Sequence, residues 1–354
     1  MIMLKTAFRQ TLSAISFLIL VPFTTLQAAD ITGAGASFPY PIYAKWTALY
    51  QQQTGNKVNY QSIGSGGGQQ QIIAKTIDFA GSDDPMSGEA LEQHQLLQFP
   101  AIIGGIVPVV NLPELSTGVL KLSGEALAQI YLGHITHWND PAIQQLNPEL
   151  SLPNKRILVV HRSDGSGTTF GWTNYLSKVS PQWQAQVGEG KAVKWPTGQG
   201  AKGNEGVSAY VKQLKYSIGY VEYAYAKQNQ LAWVSLQNKS GNFVQPNQAS
   251  FSEASANADW QSAVGMGVIL TDQQGDNAWP ITAASFILLP KTPEDYQQNQ
   301  QVLQFFDWAF HQGQQSALAL DYVPLPAKVV EQVQWQWQQQ LKDHNNQAIW
   351  QMKK

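Results

Sequence analysis

Three loops of the chain carry the residue types that capture an oxyanion. They read GAGASF (residues 33–38), GSGGG (residues 64–68) and RSDGSGTT (residues 162–169), each between a predicted strand and a predicted helix. Glycine lets the backbone approach a ligand closely, and a helix start offers unpaired N–H groups and a positive dipole end. Ser and Thr hydroxyls add neutral donors. One such loop alone is more often a simple turn, but three alike beside a single arginine predict an anion site with little formal positive charge.

Arg162 supplies the guanidinium of these loops. It ends a predicted strand four residues before Ser166, so it can reach an anion held by the start of the following helix. Asp164, two residues on, is placed to orient the guanidinium through a charge-assisted hydrogen bond. Because ligands of open α/β sheets bind outside the carboxyl ends of the strands, this position favours a role in binding over a place on the surface.

Asp83, in the segment FAGSDDP (residues 79–85), also follows a predicted strand directly. A carboxylate beside an anion site repels the anion unless the anion carries a proton that the carboxylate can accept. Hydrogen phosphate and dihydrogen phosphate carry such a proton, whereas sulfate at neutral pH does not. The residue therefore predicts selectivity for phosphate. The neighbouring Asp84 is predicted to be an exposed cap before Pro85.

Alternating strands and helices must position these residues. Short β-branched runs such as Lys57–Ile63 and Ile157–His161 predict strands. Segments of helical period lie between such runs, and helices are predicted over Gln69–Lys75, about Gly167–Lys178 and Val207–Leu214. Ile42, Trp46 and Tyr50, for example, recur at the spacing of one helix face. This alternation is typical of an α/β sheet covered by helices on both faces.

Two long apolar stretches, Phe99–Val109 and Trp279–Leu289, are predicted to cross between two lobes. Residues 30–103 together with 280–354 then form lobe I, and residues 104–279 form lobe II. Such a chain hinges well, because only a few backbone dihedrals change when the cleft opens or closes. The alternative that both stretches are core strands of one large domain stays open on pattern alone.

The composition excludes several classes of protein. The chain has 354 residues, of which 43% are hydrophobic and 13% charged, with a formal net charge of −2 and no cysteine. The apolar content suffices for sizeable cores and rules out a disordered chain. The net charge argues against a broad surface for nucleic acid or anionic membrane. The lack of cysteine excludes disulfides, thiolate metal sites, thiol catalysis and a lipidated N-terminal cysteine.

Residues 1–29 are predicted to be a cleaved signal peptide. Lys5 and Arg9 form a basic region, Leu12–Phe23 is an apolar run, and Leu26–Ala29 resembles a cleavage site. The apolar run is shorter than the roughly 20 residues that a transmembrane helix needs. Without a cysteine the exported protein cannot be a lipoprotein, so we expect it in the periplasm between two membranes.

Two further motifs give weaker indications of function. GQGAKG (residues 198–203), with Glu222 19 residues later, matches a dinucleotide-binding pattern, but Pro196 interrupts the strand that should precede it. His134 and His137 stand at helical spacing, yet no cysteine or carboxylate pattern accompanies them. No serine of the three loops lies in a G-x-S-x-G nucleophile motif. We therefore expect no catalytic residue, no bound metal and no cofactor.

Five segments closely resemble the periplasmic phosphate-binding proteins of high-affinity phosphate ABC importers. They are GAGASFPYPIYAKW, NYQSIGSGGGQQQII, HRSDGSGTTF, KWPTGQGAKGNEGV and IGYVEYAYAKQN. The resemblance runs from about Asp30 to the last helix and implies an α/β, two-lobed, hinged type II binding-protein fold. The best-known members have Thr in place of Ser37 and commonly Ala in place of Asp84. The phosphate ligands that the resemblance implies are Ser37, Phe38, Ser65 and Asp83 from lobe I, and Arg162, Ser166, Gly167 and Thr168 from lobe II.

The resemblance also implies a receptor and not an enzyme. Such a protein binds one inorganic phosphate between its lobes and delivers it, closed, to a membrane permease driven by an ATPase. It implies a monomer, and the net charge predicts no nucleic-acid partner. Two alternatives stay open. One is a secreted phosphatase or phosphotransferase that uses the same cradle, and the other is a binding protein for another oxyanion, which Asp83 disfavours.

Overall fold

A mixed β-sheet runs through the fold, which is seen in a computed structural model that describes residues 30–256 and 258–352. The expected signal peptide, residues 1–29, lies outside the described residues. In chain order the strands are β1 (Asp30–Gly35), β2 (Lys57–Ser62), β3 (Phe79–Ser82), β4 (Leu96–Val110), β5 (Lys121–Leu122), β6 (Leu158–Arg162), β7 (Gln199–Ala201), β8 (Ser217–Glu222), β9 (Ala232–Trp233), β10 (Ser235–Gln237), β11 (Phe243–Val244) and β12 (Thr282–Pro290).

Helices alternate with these strands, so the predicted α/β class is confirmed. Within the described residues, no helix is long and apolar enough to cross a membrane. In chain order the helices are α1 (Tyr40–Thr54), α2 (Ser65–Ile73), α3 (Gly88–Gln93), α4 (Gly124–Leu132), α5 (Pro141–Leu146), α6 (Gly167–Val179), α7 (Pro181–Gln186), α8 (Gly203–Gln213), α9 (Tyr223–Gln228), α10 (Gln248–Ser255), α11 (Tyr296–His311), α12 (Gln314–Leu318) and α13 (Ala327–Gln340), with a 3₁₀ turn at Val264–Met266.

Three parallel strands bring their carboxyl ends to one edge of the sheet. β1 pairs in parallel with both β2 and β3. The segments that follow these strands therefore begin side by side. Ser37, Ser65 and Asp83 lie in them, one in each segment.

Strand β4 connects two halves of the sheet. Its first part pairs antiparallel with β12, and its last part, Ile106–Val110, pairs antiparallel with β8. Strands β8, β6 and β7 continue in parallel, giving the order β2-β1-β3-β12-β4-β8-β6-β7. We call β1–β3 with β12 the first half of the sheet and β6–β8 the second half. The carboxyl end of β6, at Arg162, belongs to the second half.

The predicted crossing stretches form β4 and β12. The side-chain amide of Gln98 on β4 donates to the carbonyl of Gly265 at 3.0 Å. These two residues fall in different predicted lobes, so the segment after α10 packs against the first half before β12 begins. The lobe boundaries at residues 103 and 280 stay a prediction.

Aromatic side chains fill the core beside the first half. Tyr43 and Trp46 of α1 stack with ring centroids 5.7 Å apart, and Tyr43 meets Phe306 of α11 edge-on at 6.2 Å. The buried Trp46 indole N–H donates to the Gly313 carbonyl at 2.9 Å. Burying one Phe-sized side chain contributes about 1.5–3 kcal/mol. This core therefore fixes α1 beside the turn that holds Ser37.

Candidate anion-binding site

Predicted site residues from the two halves of the sheet meet in the structure. The Ser65 hydroxyl accepts hydrogen bonds from the N–H of Gly167 at 3.0 Å and from the N–H of Asp83 at 3.2 Å. Ser65 follows β2, Asp83 follows β3, and Gly167 begins α6 in the second half. The Ser65 hydroxyl thus links Asp83, on its own side of the cleft, to Gly167 on the opposite side.

Two helices begin at site residues. α2 begins at Ser65, four residues before the predicted start at Gln69, and α6 begins at Gly167 as predicted. The sequence expectation for α2 is wrong because it counted the glycines as loop, whereas they form the first turn. The N–H groups of a first turn have no intrahelical partner, and with the helix dipole they favour an anion.

Arg162 and Asp164 form the predicted ion pair. Nε of Arg162 lies 2.8 Å from Oδ1 of Asp164, and Nη2 lies 2.5 Å from Oδ2, a bidentate arrangement. Burial opposes ionisation of Asp164, but the hydrogen bonds and charge of Arg162 outweigh it and hold the pKa of Asp164 below its usual range. Nη1 lies 3.4 Å from the Thr168 hydroxyl. Asp164 therefore fixes the guanidinium as a positive charge beside Thr168.

Asp83 presents an unpartnered acceptor inside the site. Its Oδ1 accepts from the Ser285 hydroxyl at 2.8 Å, while its buried Oδ2 has no hydrogen-bond partner among the described residues. Burial raises the pKa of Asp83 to about 7, although the Ser285 hydrogen bond and the Arg162 charge lower it. Buried acceptors normally have a donor. Oδ2 is therefore placed to receive a proton that a ligand brings.

The serine hydroxyls of the site are oriented as donors. The Ser37 hydroxyl accepts from the backbone N–H and the side-chain amide of Asn204, at 3.1 and 2.8 Å. The Ser65 hydroxyl accepts two N–H groups, as described above, and the Ser166 hydroxyl accepts the N–H of Thr169 at 3.0 Å. A hydroxyl has two acceptor positions and one proton. On Ser37 and Ser65 the acceptor positions are occupied, so the proton remains for an acceptor such as an anion.

Asn204 is a site residue that no sequence pattern identified. It is fully buried, and its Nδ2 lies 3.1 Å from the Thr168 hydroxyl as well as 2.8 Å from that of Ser37. Its Oδ1 accepts the N–H of Glu222 at 2.8 Å, which fixes the orientation of the amide. Asn204 thus connects a hydroxyl of the first half with one of the second half.

The GQGAKG segment borders this site. Its last residue, Gly203, donates its N–H to Oδ1 of Asp164 at 3.1 Å, and α8 begins there. The helix predicted from Val207 therefore starts earlier, with Asn204 in its first turn. The segment has the same strand–glycine–helix order as the three predicted loops, and that order was the signal that could have identified Asn204.

Two buried tyrosines hold the Ser37–Phe38 turn. The Tyr225 hydroxyl donates to the Ser37 carbonyl at 2.8 Å. The Tyr322 hydroxyl lies 2.7 Å from the Phe38 carbonyl and 2.8 Å from Oε2 of Glu222. Burial raises the pKa of Glu222 to about 8, although hydrogen bonds from the Ala224 N–H and from Tyr322 lower it. The turn is therefore anchored through its carbonyls.

Asp84 is not the exposed cap that the sequence predicted. Its Oδ2 lies 3.0 Å from Nζ of Lys191, and its side chain is 15% exposed. The backbone carbonyl of Asp84 accepts from the side-chain amide of Gln69 at 3.0 Å. The prediction failed because Lys191 comes from a distant part of the chain.

Backbone from the two halves approaches closely beside the site. The N–H of Gly66 donates to the carbonyl of Gly165 at 2.8 Å. A Cβ at Gly64, where φ is +87°, would lie 2.4 Å from Oδ2 of Asp164 and 2.7 Å from the Gly165 carbonyl oxygen. Glycine is therefore required here by both the backbone conformation and the contact between the two halves.

The histidine pair does not share a helix face. Helix α4 ends at Leu132, so His134 and His137 lie beyond it. Their ring nitrogens lie 2.7 Å from Oε1 of Gln129 and 3.0 Å from the hydroxyl of Thr136. Across residues 30–256 and 258–352, no group of three or more His, Asp or Glu side chains is arranged to hold a metal ion.

Known proteins are similar to this chain over most of its length. The family model of the PBP superfamily domain matches residues 23–312. The phosphate-binding protein PstS of Pasteurella multocida (strain Pm70) is 70% identical over 327 residues, which cover 92% of this chain and 95% of that protein. The protein of the same name from Haemophilus influenzae (strain ATCC 51907 / DSM 11121 / KW20 / Rd) is 68% identical over 322 residues, covering 91% and 96%.

A solved structure shares the fold. It is a high-affinity periplasmic phosphate-binding protein, PfluDING, bound with phosphate, and its TM-score to this chain is 0.72 at 20% identity. The match covers 87% of this chain and 94% of that one. Together with the superfamily match, it confirms the predicted two-lobed binding-protein fold.

Proposed function

The chain belongs to the PstS family of phosphate-binding proteins, and on that premise we propose that it captures inorganic phosphate and delivers it to an ABC importer. The phosphate is held between the two lobes. Its ligands are the residues that the sequence predicted: Ser37, Phe38, Ser65, Asp83, Arg162, Ser166, Gly167 and Thr168. Asp164 orients Arg162, and Asn204 orients two of the hydroxyls.

The unpartnered Oδ2 of Asp83 is the observation that carries this proposal. The other predicted ligands include the hydroxyls of Ser37 and Ser65, whose protons are free to donate, and the guanidinium of Arg162, which Asp164 holds in place. A set of donors with one acceptor matches an oxyanion that carries a proton. Hydrogen phosphate and dihydrogen phosphate have this character, and sulfate does not.

The receptor acts in the periplasm and passes phosphate to a membrane permease driven by an ATPase. The export sequence predicted at residues 1–29 supports this location, and the absence of cysteine argues against a lipid anchor. The resemblance to importer receptors supports the permease and the ATPase as partners. It also supports a monomer, and the net charge of −2 argues against a nucleic-acid partner.

We propose a receptor rather than a phosphatase. A hydrolase that attacks phosphorus with a serine needs a base beside the hydroxyl. The hydroxyls of Ser37 and Ser65 instead accept hydrogen bonds from N–H groups. Such contacts leave the hydroxyls as donors to a bound anion and do not activate them as nucleophiles.

Titration calorimetry with phosphate, arsenate and sulfate tests the function. We expect one phosphate per chain, competition by arsenate and no measurable heat with sulfate at pH 8.5, where Asp83 carries its charge. An assay with p-nitrophenyl phosphate should show no hydrolysis above the buffer rate. Stoichiometric sulfate binding would favour a receptor for another oxyanion, and steady hydrolysis would favour the phosphatase.

A further inference from the structure

An ion pair crosses the cleft just outside the anion site. Nζ of Lys191 lies 3.0 Å from Oδ2 of Asp84 and 2.7 Å from Oε1 of Gln69. Lys191 lies between α7 and β7 in the second half, whereas Asp84 follows β3 and Gln69 lies on α2 in the first half. The ammonium group therefore has two acceptors on the opposite side of the cleft.

Both ends of this contact are bonded to the anion site itself. The carbonyl of Lys191 accepts the N–H of Ser166 at 2.9 Å. On the other side, the amide of Gln69 donates to the carbonyl of Asp84 and to the hydroxyl of Ser82, each at 3.0 Å. Asp84 directly follows the predicted ligand Asp83. The ion pair thus joins the segment of Ser166 to the segment of Asp83.

We infer that Lys191 and Asp84 form a clasp that closes over bound phosphate and slows its release. This inference rests on the proposed function. When the lobes separate, the Lys191 ammonium group loses both acceptors, and the charges return to water. When they close, the clasp adds attraction between the lobes that does not depend on contact with phosphate. Lys191 and Asp84 are therefore positioning residues for phosphate, which they do not touch.

The exposure of the clasp sets the size and the salt dependence of its effect. The side chain of Lys191 is 40% exposed and that of Asp84 is 15% exposed. A pair that is partly open to solvent is weakened by salt. We expect removal of one partner to speed phosphate release about 2- to 5-fold at low ionic strength, since a partly exposed pair contributes up to about 1 kcal/mol.

The experiment measures release of radiolabelled inorganic phosphate during a chase with unlabelled phosphate. The variants are Lys191→Met, Asp84→Asn, the double variant and the charge exchange of Asp84→Lys with Lys191→Asp. Lys75→Met is the matched control, because Lys75 pairs with Glu294 at 3.1 Å on the surface of the first half, with side chains 65% and 84% exposed. Melting temperatures of the variants verify that each is folded.

Each single variant should release phosphate faster, and the double variant should be no faster than the singles. The charge exchange should restore slow release, which a loss of packing could not explain. Added salt should speed release from the wild type and leave the single variants unaffected. Release at the wild-type rate from both folded single variants would overturn the clasp. A wild-type protein that binds no phosphate would instead overturn the proposed function.

Discussion

Asn204 holds the Ser37 hydroxyl from the opposite side of the cleft, with its side-chain nitrogen 2.8 Å and its backbone nitrogen 3.1 Å from Oγ. The two residues are 167 positions apart in the chain. Because the same amide also donates to Thr168, one side chain determines where two hydroxyl protons point. Both protons are thereby directed away from Asn204.

Asn204→Ala should weaken phosphate binding about 10-fold, since an ordinary hydrogen bond contributes about 0.5–1.5 kcal/mol and two hydroxyls lose their orientation. Calorimetry measures the dissociation constant. Asn242→Ala is the control, because the Asn242 amide donates to the Asp276 carbonyl at an exposed position. Equal phosphate affinity in the Asn204 variant and the control would contradict this role.

Arg162→Ala should weaken phosphate binding without abolishing it. Hydroxyl and N–H donors remain, and one charge-assisted hydrogen bond contributes about 1.5–3 kcal/mol, or roughly 10- to 150-fold in affinity. Arg162→Lys keeps the charge and loses the bidentate contact with Asp164. Its phosphate affinity should therefore fall between those of the wild type and Arg162→Ala. An unchanged dissociation constant in Arg162→Ala would place Arg162 outside the site.

Asp83→Asn should admit sulfate. Two like unit charges about 4 Å apart repel by about 4 kcal/mol at an effective dielectric near 20. Because the pKa of Asp83 is about 7, protonation limits this penalty to about 1.5 pH units at pH 8.5, so the substitution should raise sulfate affinity about 30-fold at that pH. Phosphate affinity should change modestly, because Asn keeps an acceptor oxygen. Competition titrations at pH 8.5, where most of the wild type carries a charged Asp83, measure the affinities for phosphate and for sulfate. If Asp83→Asn excludes sulfate as strongly as the wild type does, another group discriminates between sulfate and phosphate.

Sulfate binding by the wild type should also increase as the pH falls below 7. Burial raises the pKa of Asp83 to about 7, so at pH 5.5 most of the unliganded protein carries a neutral Asp83. A neutral carboxyl no longer repels sulfate and can donate to it. Asp83→Asn is the matched control and should lack this pH dependence. Sulfate affinity that is equal at pH 5.5 and 8.5 in the wild type would contradict the assignment.

Glu222→Gln should flatten the dependence of stability on pH. Burial raises the pKa of Glu222 from 4.5 to about 8. Between these values the folded form keeps a proton that the unfolded form has lost, so the free energy of unfolding decreases as the pH rises. One group contributes a slope of up to about 1.4 kcal/mol per pH unit. Denaturant unfolding at pH 5 and 8 measures how much the free energy of unfolding changes with pH in each protein. An equal change in the wild type and in Glu222→Gln would contradict this role of Glu222.

The parts of the site that the sequence predicted are those that depend on residues close together in the chain. Arg162 and Asp164 are two residues apart, and a strand end followed by a glycine-rich helix start fixes their geometry locally. The sequence did not predict that Asn204 lies beside Ser37 or that Lys191 lies beside Asp84, because these contacts join residues 167 and 107 positions apart. Nor did it predict the raised pKa of Glu222, since burial follows from packing against distant elements such as Tyr322.

The contact between Gly66 and Gly165 limits what form of phosphorus the protein accepts. Their backbones are hydrogen-bonded across the cleft, and the predicted ligands around the anion are buried, with Arg162 3% and Asp83 4% exposed. In a phosphate monoester such as a sugar phosphate, the organic group would have to pass between these two hydrogen-bonded backbone segments. We therefore expect phosphate monoesters to bind far more weakly than inorganic phosphate. A cell that relies on this receptor would then have to cleave such esters first and collect the free orthophosphate.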